Sequence, residues 1–542
     1  MLGLWKNVGQ ATERPSRILS PAILLVATVA ALCRMATAAD APVPAPAYVW
    51  LPMTTPAAGG PYSSYPAFPF LRANRLMVPQ DLAKSGYTED EFLVSGKANV
   101  YDWAADGALS VKTPDAPYTT RILIRHPSDP AKFSGTVVVE IMNAARSWDW
   151  SMMWGYLWPQ IIEHGDAWVG VTMPGGVPGL KKYDHGRYGS VLFRNPVKGA
   201  CPNGNPMAET EDGLKWDMLS QVAALLKGEW PLGGRLELTP LGGFKVEYLY
   251  MTTQGADIVT YITAIHPHAK LANGKSAYDG FFIKSVTGPG RINQCAAPIA
   301  RSDPRYVIRN AGVPVVTVQA QSEVLRGLAA RRPDSNEPGD RYRLYEIAGA
   351  EHLDIYPYQV FPNFVDQTVA GNAQGTPEWP FGVRCTPEIE LNETPLLNYS
   401  FHAALANLDQ WVRKGVAPPK ANRVQVKDQD SDHASVVLDQ HGNGVGGVRT
   451  FFVDFPAATF IMSSPGPGVC AEMGRTVPFD WARLDTLYGS YKNYSSKVSQ
   501  SVDRSVKERW FTDYDARKIK AELKVKTETT VSPTAARPGA SQ

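Results

Sequence analysis

The chain has little cysteine, almost no net charge and no long uninterrupted apolar run, and each shortage closes off a class of function. Its 542 residues include five cysteines, none in Cys-x-x-Cys spacing. Thiolate metal binding therefore has no support, and no metal or other cofactor is expected. Lysine and arginine total 54 against 52 aspartates and glutamates, a formal net charge of +2. That balance gives no electrostatic reason for a nucleic-acid partner. The apolar run at residues 18–32 is shorter than the roughly 20 residues of a membrane-spanning helix. No internal repeat is visible.

What is present reads as globular: 44% hydrophobic and 20% charged residues. The length suits one large core with insertions, or two or three ordinary domains. The N-terminus has the layout of a secretory signal peptide, expected over 1–39. Lys6, Arg14 and Arg17 precede the apolar run, and Ala36-Thr37-Ala38 gives a small-x-small cleavage site. An uncleaved anchor is the alternative. Cleavage predicts a periplasmic or secreted protein with no stable membrane insertion. It leaves Cys201, Cys295, Cys385 and Cys470, enough for two disulfides in any of three pairings.

Residues 121–126 alternate like a strand, and 136–142 form a near-continuous β-branched run suited to a buried central strand. Further strands are expected at 167–172, 246–251, 280–286, 313–319 and 341–348, with helices at 154–164, 214–226 and 256–265. Such alternation predicts an α/β protein with a mostly parallel sheet covered by helices on both faces. An N-terminal extension (40–120) precedes this core (121–420). Residues 421–525 are expected to pack on it, and 526–542 to be a disordered tail. The Gly- and Pro-rich segment 173–213 is expected to be a lid or cap insertion.

Catalysis on an open parallel sheet sits at the carboxyl ends of strands. Three expected strand ends carry suitable groups in the order nucleophile, acid, histidine. They are Met251-Thr252-Thr253-Gln254-Gly255, Gln319-Ala320-Gln321-Ser322-Glu323 and Ala348-Gly349-Ala350-Glu351-His352. A carboxylate can orient an imidazole, and an imidazole can move a proton near neutral pH. Trp148, Trp150 and Trp154, just after the central strand, are candidate walls of an apolar pocket, with core packing as the alternative. Asp184-His185-Gly186-Arg187 reads as surface loop, the 442–447 glycines as a turn, and Lys181-Lys182 and Arg331-Arg332 as solvated.

The stretches GTVVVEIMNAARSWDW (135–150), TTQGADIVTYITAIHP (252–267), VPVVTVQAQSEV (313–324), RLYEIAGAEHLD (343–354) and HGNGVGGVRTFFVDFPAATF (441–460) occur in one order. Together they resemble the secreted bacterial "alpha/beta hydrolase domain" proteins of the serine-esterase superfamily. The resemblance implies an α/β-hydrolase fold acting on a small-molecule ester without a cofactor. It implies Thr253 as nucleophile, His352 as base and Glu323 as acid, with backbone N–H groups of Gln254 and of Asn143 or Ala144 as oxyanion donors. Relatives usually carry serine at 253 and aspartate at 323 in a Gly-x-Ser-Gln setting, so this chain departs at Met251, Thr253 and Glu323. A catalytically impaired binding protein, or a lyase or acyl transferase on the same scaffold, are the alternatives.

Overall fold

The β-branched run Thr136–Ile141 forms a fully buried strand near the middle of a ten-stranded sheet. The structure is a computed structural model. It describes residues 41–51, 82–144, 147, 149–204, 206–228, 239–360, 368, 385, 392–466, 470–471 and 473–531. The signal-peptide expectation lies outside these residues, as does the tail expectation after Val531, while residues 526–531 are corrected to the end of the helix Asp513–Val531. The strands are β1 (Ala47–Leu51), β2 (Tyr87–Trp103), β3 (Leu109–Pro127), β4 (Thr136–Ile141), β5 (Ala167–Val171), β6 (Tyr248–Gln254), β7 (Gly280–Lys284), β8 (Val315–Ala320), β9 (Ser335–Glu337) and β10 (Asp340–Ile347). Their order is β1-β2-β3-β5-β4-β6-β7-β8-β10-β9. From β5 to β10 neighbours are parallel, and the remaining pairs are antiparallel.

The sheet therefore starts well before Arg121, where the sequence reading opens the core. Four charged residues of the β2–β3 ribbon, Glu89, Glu91, Arg121 and Arg125, are paired and buried instead of facing water. Arg125 Nε donates to Glu89 Oε2 at 2.8 Å, and Arg121 Nε donates to Glu91 Oε1. The insertion covers this face. Arg187 reaches Glu91 from it, and the Tyr188 hydroxyl donates to Glu91 Oε1 at 2.8 Å. The surface-loop reading of Arg187 is thus corrected: its charge completes a buried network. Arg331 and Arg332 are likewise paired, with Glu346 and Asp340. Breaking a buried pair by removing one partner costs about 3–5 kcal/mol. Glu91→Ala is expected to lower the unfolding free energy by about that much, measured by urea titration. A change within about 0.5 kcal/mol, usual for surface sites, would contradict this description.

Helix α1 (Met152–His164) begins where Glu140 of β4 accepts from the backbone N–H of Met153 and Trp154, each at 2.8 Å. A carboxylate there satisfies two donors that a helix start leaves unpaired. Helix α2 (Lys215–Lys227) packs on β2 and α3 (Ala256–Thr260) follows β6, while α4 (Leu396–Lys414) packs on α1 and on β7, β8 and β10. The C-terminal part adds α5 (Trp481–Tyr488), α6 (Tyr491–Lys507) and α7 (Asp513–Val531). Its small core, including Phe451, Val498, Val502 and Phe511, also takes in Tyr399 of α4. His402 Nδ1 to Asp515 Oδ1, 2.9 Å, joins α4 to α7.

Of the three disulfide pairings, the structure has Cys201–Cys295 and Cys385–Cys470. The first ties the insertion to the segment after β7. Among the described residues, no helix is long and apolar enough to cross a membrane.

Candidate active site

The chain runs from β4 to β5 on one side of it and then to β6 on the other. Such a reversal opens a crevice at the carboxyl ends of the strands, where ligands bind in open α/β sheets. The ends of β6, β8 and β10 bring the sequence candidates to this edge.

The acid and the base meet. Glu323 lies one short turn after β8, and its Oε2 accepts from the Ala320 N–H at 2.9 Å. His352 follows β10 through Gly349, whose N–H donates to Gln321 Oε1 at 2.8 Å. The same oxygen accepts from the Gly444 N–H at 3.0 Å, so the C-terminal glycine turn braces the histidine loop. Gly447 in that turn has φ 71°, and a Cβ there would lie 2.4 Å from the Glu346 carbonyl. Only glycine allows this approach.

His352 Nδ1 is in direct contact with Glu323 Oε1. A carboxylate only accepts, so Nδ1 carries the hydrogen and Nε2 is left as the basic nitrogen. Both side chains are almost fully buried. Burial pushes the Glu323 carboxyl up, but Lys284, His352 and the Ser285 hydroxyl outweigh it and hold it well below the usual carboxylate range. Glu323 therefore remains charged near neutrality. Burial, then the Lys284 charge, lowers the His352 pKa against the opposing pull of Glu323. The acidic neighbour Glu351 is pushed up to about 8 by burial, so it adds little negative charge at neutral pH.

Lys284 and Ser285 are the residues that the sequence reading passed over. Lys284 Nζ lies 3.1 Å from Glu323 Oε1 and 3.0 Å from the His352 carbonyl oxygen. Ser285 donates to Glu323 Oε1 and has φ 61°. A lysine and a serine closing an otherwise apolar strand, Gly280–Lys284, were the available signal. Arg326 adds a guanidinium 2.7 Å from His352 Nδ1. Because Nδ1 bears a hydrogen, Arg326 acts there through its charge.

A base works in its neutral form, so its pKa sets the acid limb of the pH–rate profile. Removing a neighbouring cation raises the histidine pKa. Lys284→Met is therefore expected to move the acid limb of kcat/KM to higher pH. An unmoved or lowered limb would show that Lys284 does not set the field at His352.

The nucleophile candidate is placed differently. Thr253 lies inside β6, in register with Ile283 of β7, and is buried. Its hydroxyl donates to the Ile141 carbonyl of β4 at 2.7 Å. The group facing the basic nitrogen is instead Gln254, with Nε2 3.3 Å from His352 Nε2. The chain turns at Gly255, with φ 94° and ψ −153°, just before α3. The structure thus joins two of the three expected triad members and directs the Thr253 hydroxyl to β4.

The oxyanion candidates also differ. The Asn143 N–H donates to the Trp150 carbonyl at 2.9 Å and is already used. Ala144 remains at the end of the central strand, and its carbonyl accepts from the Ser147 N–H at 2.9 Å. Gln254 pairs with Lys284 in the sheet, where the Gly255 N–H is the group that donates to the Lys284 carbonyl, at 3.2 Å. Trp150 and Trp154 are corrected from pocket to core. Trp154 is fully buried, with Arg125 stacked 4.6 Å from its ring centroid. Trp150 donates to the Pro357 carbonyl at 2.8 Å. Trp148 lies outside the described residues. Among the described residues, no cluster of three or more His, Cys, Asp or Glu side chains could hold a metal ion.

A search of curated proteins returns no match. Solved structures similar to this chain include esterases and prolyl endopeptidases. A glucuronoyl esterase from Solibacter usitatus is 11% identical, covering 56% of this chain and 82% of its own, at a TM-score of 0.26. The carboxylesterase EST55 from Geobacillus stearothermophilus is 11% identical over 73% of this chain and 96% of its own, at 0.24. A cold-adapted esterase from an Arctic intertidal metagenomic library is 9% identical over 48% and 84%, at 0.20. At such scores these likenesses carry no weight, whereas the family model described as "Alpha/beta hydrolase domain" matches residues 45–521. With most of the chain matched, and a largely parallel sheet presenting an acid and a histidine at its carboxyl edge, the protein belongs to the α/β hydrolase domain family.

Proposed function

We propose that the protein is an exported hydrolase of small-molecule carboxylic esters, with His352 as base and Glu323 as the group that orients it. The single observation that carries this reading is the buried Glu323–His352 contact at the ends of β8 and β10, with Nε2 turned toward the end of β6. A charged carboxylate on Nδ1 stabilises the imidazolium formed when Nε2 takes a proton. Export is supported by the signal-like N-terminus and by the pairing of all four remaining cysteines, which suits an oxidising compartment such as the periplasm or the exterior.

The triad version of this chemistry has Thr253 attack the ester and form an acyl-enzyme. For that, Thr253 must give up its bond to Ile141 and reach His352. The test is hydrolysis of a p-nitrophenyl ester series by the intact mature chain and by Thr253→Ala. Ester cleavage to acid and alcohol by the wild type supports the hydrolase reading, and its absence across the series refutes it. Because the Thr253 hydroxyl is committed to β4, Thr253→Ala is expected to keep kcat within about tenfold, far less than the roughly 10⁶-fold loss on removing a serine-hydrolase nucleophile. A drop approaching that size in a folded variant would establish the triad version. One observation favours a binding protein without chemistry: the turning residue, Gly255, has no side chain. On that reading the pocket would retain ester ligands without cleaving them.

A further inference from the structure

The C-terminal part encloses a cavity of about 700 Å³ between the start of α4 and helices α5, α6 and α7. Neither Glu323 nor His352 lines it, so it is separate from the candidate active site. Its volume lies within the range of small-molecule sites, about 300–1,000 Å³.

The wall is aromatic. Tyr399, Phe452, Trp481, Tyr488, Tyr491 and Tyr494 line it. The ring centroids of Tyr488 and Tyr494 are 5.0 Å apart, and those of Tyr491 and Tyr494 are 6.0 Å apart. Two of the hydroxyls already donate within the protein. Tyr488 donates to the Pro456 carbonyl at 2.8 Å, and Tyr491 to the Leu523 carbonyl at 3.3 Å. These bonds fix the two rings and leave their surface, not their O–H groups, to a ligand. Trp481 opens α5 and is 82% exposed, which leaves the hydrophobic gain of burying an indole unrealised.

Charge selects among the ligands that fit such a wall. Three carboxylates line the cavity, Glu393, Asp485 and Glu522, and among the described residues no lysine, arginine or histidine does. The lysines of α6 and α7 lie elsewhere: Lys492, Lys520 and Lys524 line a second groove that shares only Leu523 with this one. After burial and Asp354, Glu522 and Glu393 both raise the Tyr356 phenol, and after burial Glu522 raises the Tyr399 phenol. Their two charges therefore act together at the α4 end of the cavity. Aromatic faces attract cations, an indole most strongly, and carboxylates add to that attraction. The same field repels anions and gives a neutral ligand nothing.

We propose that this cavity binds a small organic cation, an alkylated ammonium ion carrying an aryl or alkyl body. The rings enclose the body and the N-alkyl groups, and the carboxylates supply the field that retains the charge. This binding is independent of ester hydrolysis and stands whether or not hydrolysis is found.

The test is isothermal titration calorimetry of the full mature chain with benzyltrimethylammonium. Benzyl alcohol keeps the ring without the charge, and phenylmethanesulfonate reverses the charge. The ammonium ion is expected to bind saturably at one site per chain, and benzyl alcohol at least about tenfold more weakly. The sulfonate is expected not to bind. Trp481→Ala is expected to weaken ammonium binding by about five- to thirtyfold. The double change Glu393→Gln with Glu522→Gln is expected to weaken it by about threefold or more at low salt. All three side chains are exposed, so these variants are expected to fold, and their melting temperatures establish it. Wild-type protein that shows no saturation below about 10 mM ammonium, weaker than a millimolar site, overturns the proposal. Equal affinity for benzyl alcohol or the sulfonate also overturns it. Ammonium affinity unchanged by Trp481→Ala, or by the double change, places the ion elsewhere and overturns it as well.

Discussion

Replacing His352 with glutamine is expected to lower kcat/KM on activated esters by 10²- to 10⁴-fold, roughly the contribution of a positioned general base. Glutamine keeps a polar side chain of similar reach but cannot take a proton, so the loss reports proton transfer and not packing. The basic nitrogen is fixed by its environment. Nδ1 is committed to Glu323, and the cations Lys284 and Arg326 crowd the same side of the ring. Nε2 alone faces the turn. Activity within a few-fold of wild type, in a variant with unchanged melting temperature, would mean that His352 only fills space.

The second large effect is expected from Glu323→Gln. In this substitution an amide replaces a charged carboxylate at the same size. It can present its nitrogen to Nδ1 and stabilise the wrong tautomer, a change that costs about 10⁴ in kcat for a serine-protease triad. It also removes the negative charge that favours the imidazolium, so the pKa of His352 should fall further. The rate is therefore expected to drop by about 10³- to 10⁴-fold, with any residual acid limb moved to lower pH. Lys284 would then be left buried beside a neutral partner. A loss of melting temperature is expected alongside, because an unpaired buried charge is destabilising. A Glu323→Gln enzyme with normal kcat would remove Glu323 from the site.

Much of this was legible in the sequence, for reasons visible in particular residues. The central strands could be read because parallel strands buried on both faces are runs of apolar residues, as at β4 and β8. The acid and base could be placed because each stands just past such a run. The β2–β3 ribbon could not be read in the same way. Glu89 and Glu91 stand in an acidic run with Asp90, and Arg121 and Arg125 bracket three apolar residues, and charges so placed suggest contact with water. The pairing of Glu91 includes Arg187, which arrives from a distant insertion. Long-range charge pairing of this kind leaves no periodic trace.

The turn after β6 was legible in kind but not in register. A strand ending at Met251 puts Thr253 at the apex. In the structure β6 continues to Gln254, because Thr253 and Gln254 still pair with Ile283 and Lys284 of β7. The apex therefore falls on Gly255, the residue able to adopt φ 94°. Local composition shows that a strand becomes a helix near here, but the neighbouring strand decides where. Three residues of extra pairing bury the Thr253 hydroxyl and bring Gln254 to the histidine.

Glu323 and His352 are expected to act as one unit. The direct measurement is a double-mutant cycle on kcat/KM for p-nitrophenyl acetate, using the wild type, His352→Gln, Glu323→Gln and the double variant. Residues that work as a unit show strongly non-additive losses. The double variant is predicted to be no slower than His352→Gln alone, because a carboxylate with no imidazole to orient has nothing further to contribute. Losses that multiply, or a cycle in which neither single change slows the reaction, would contradict it.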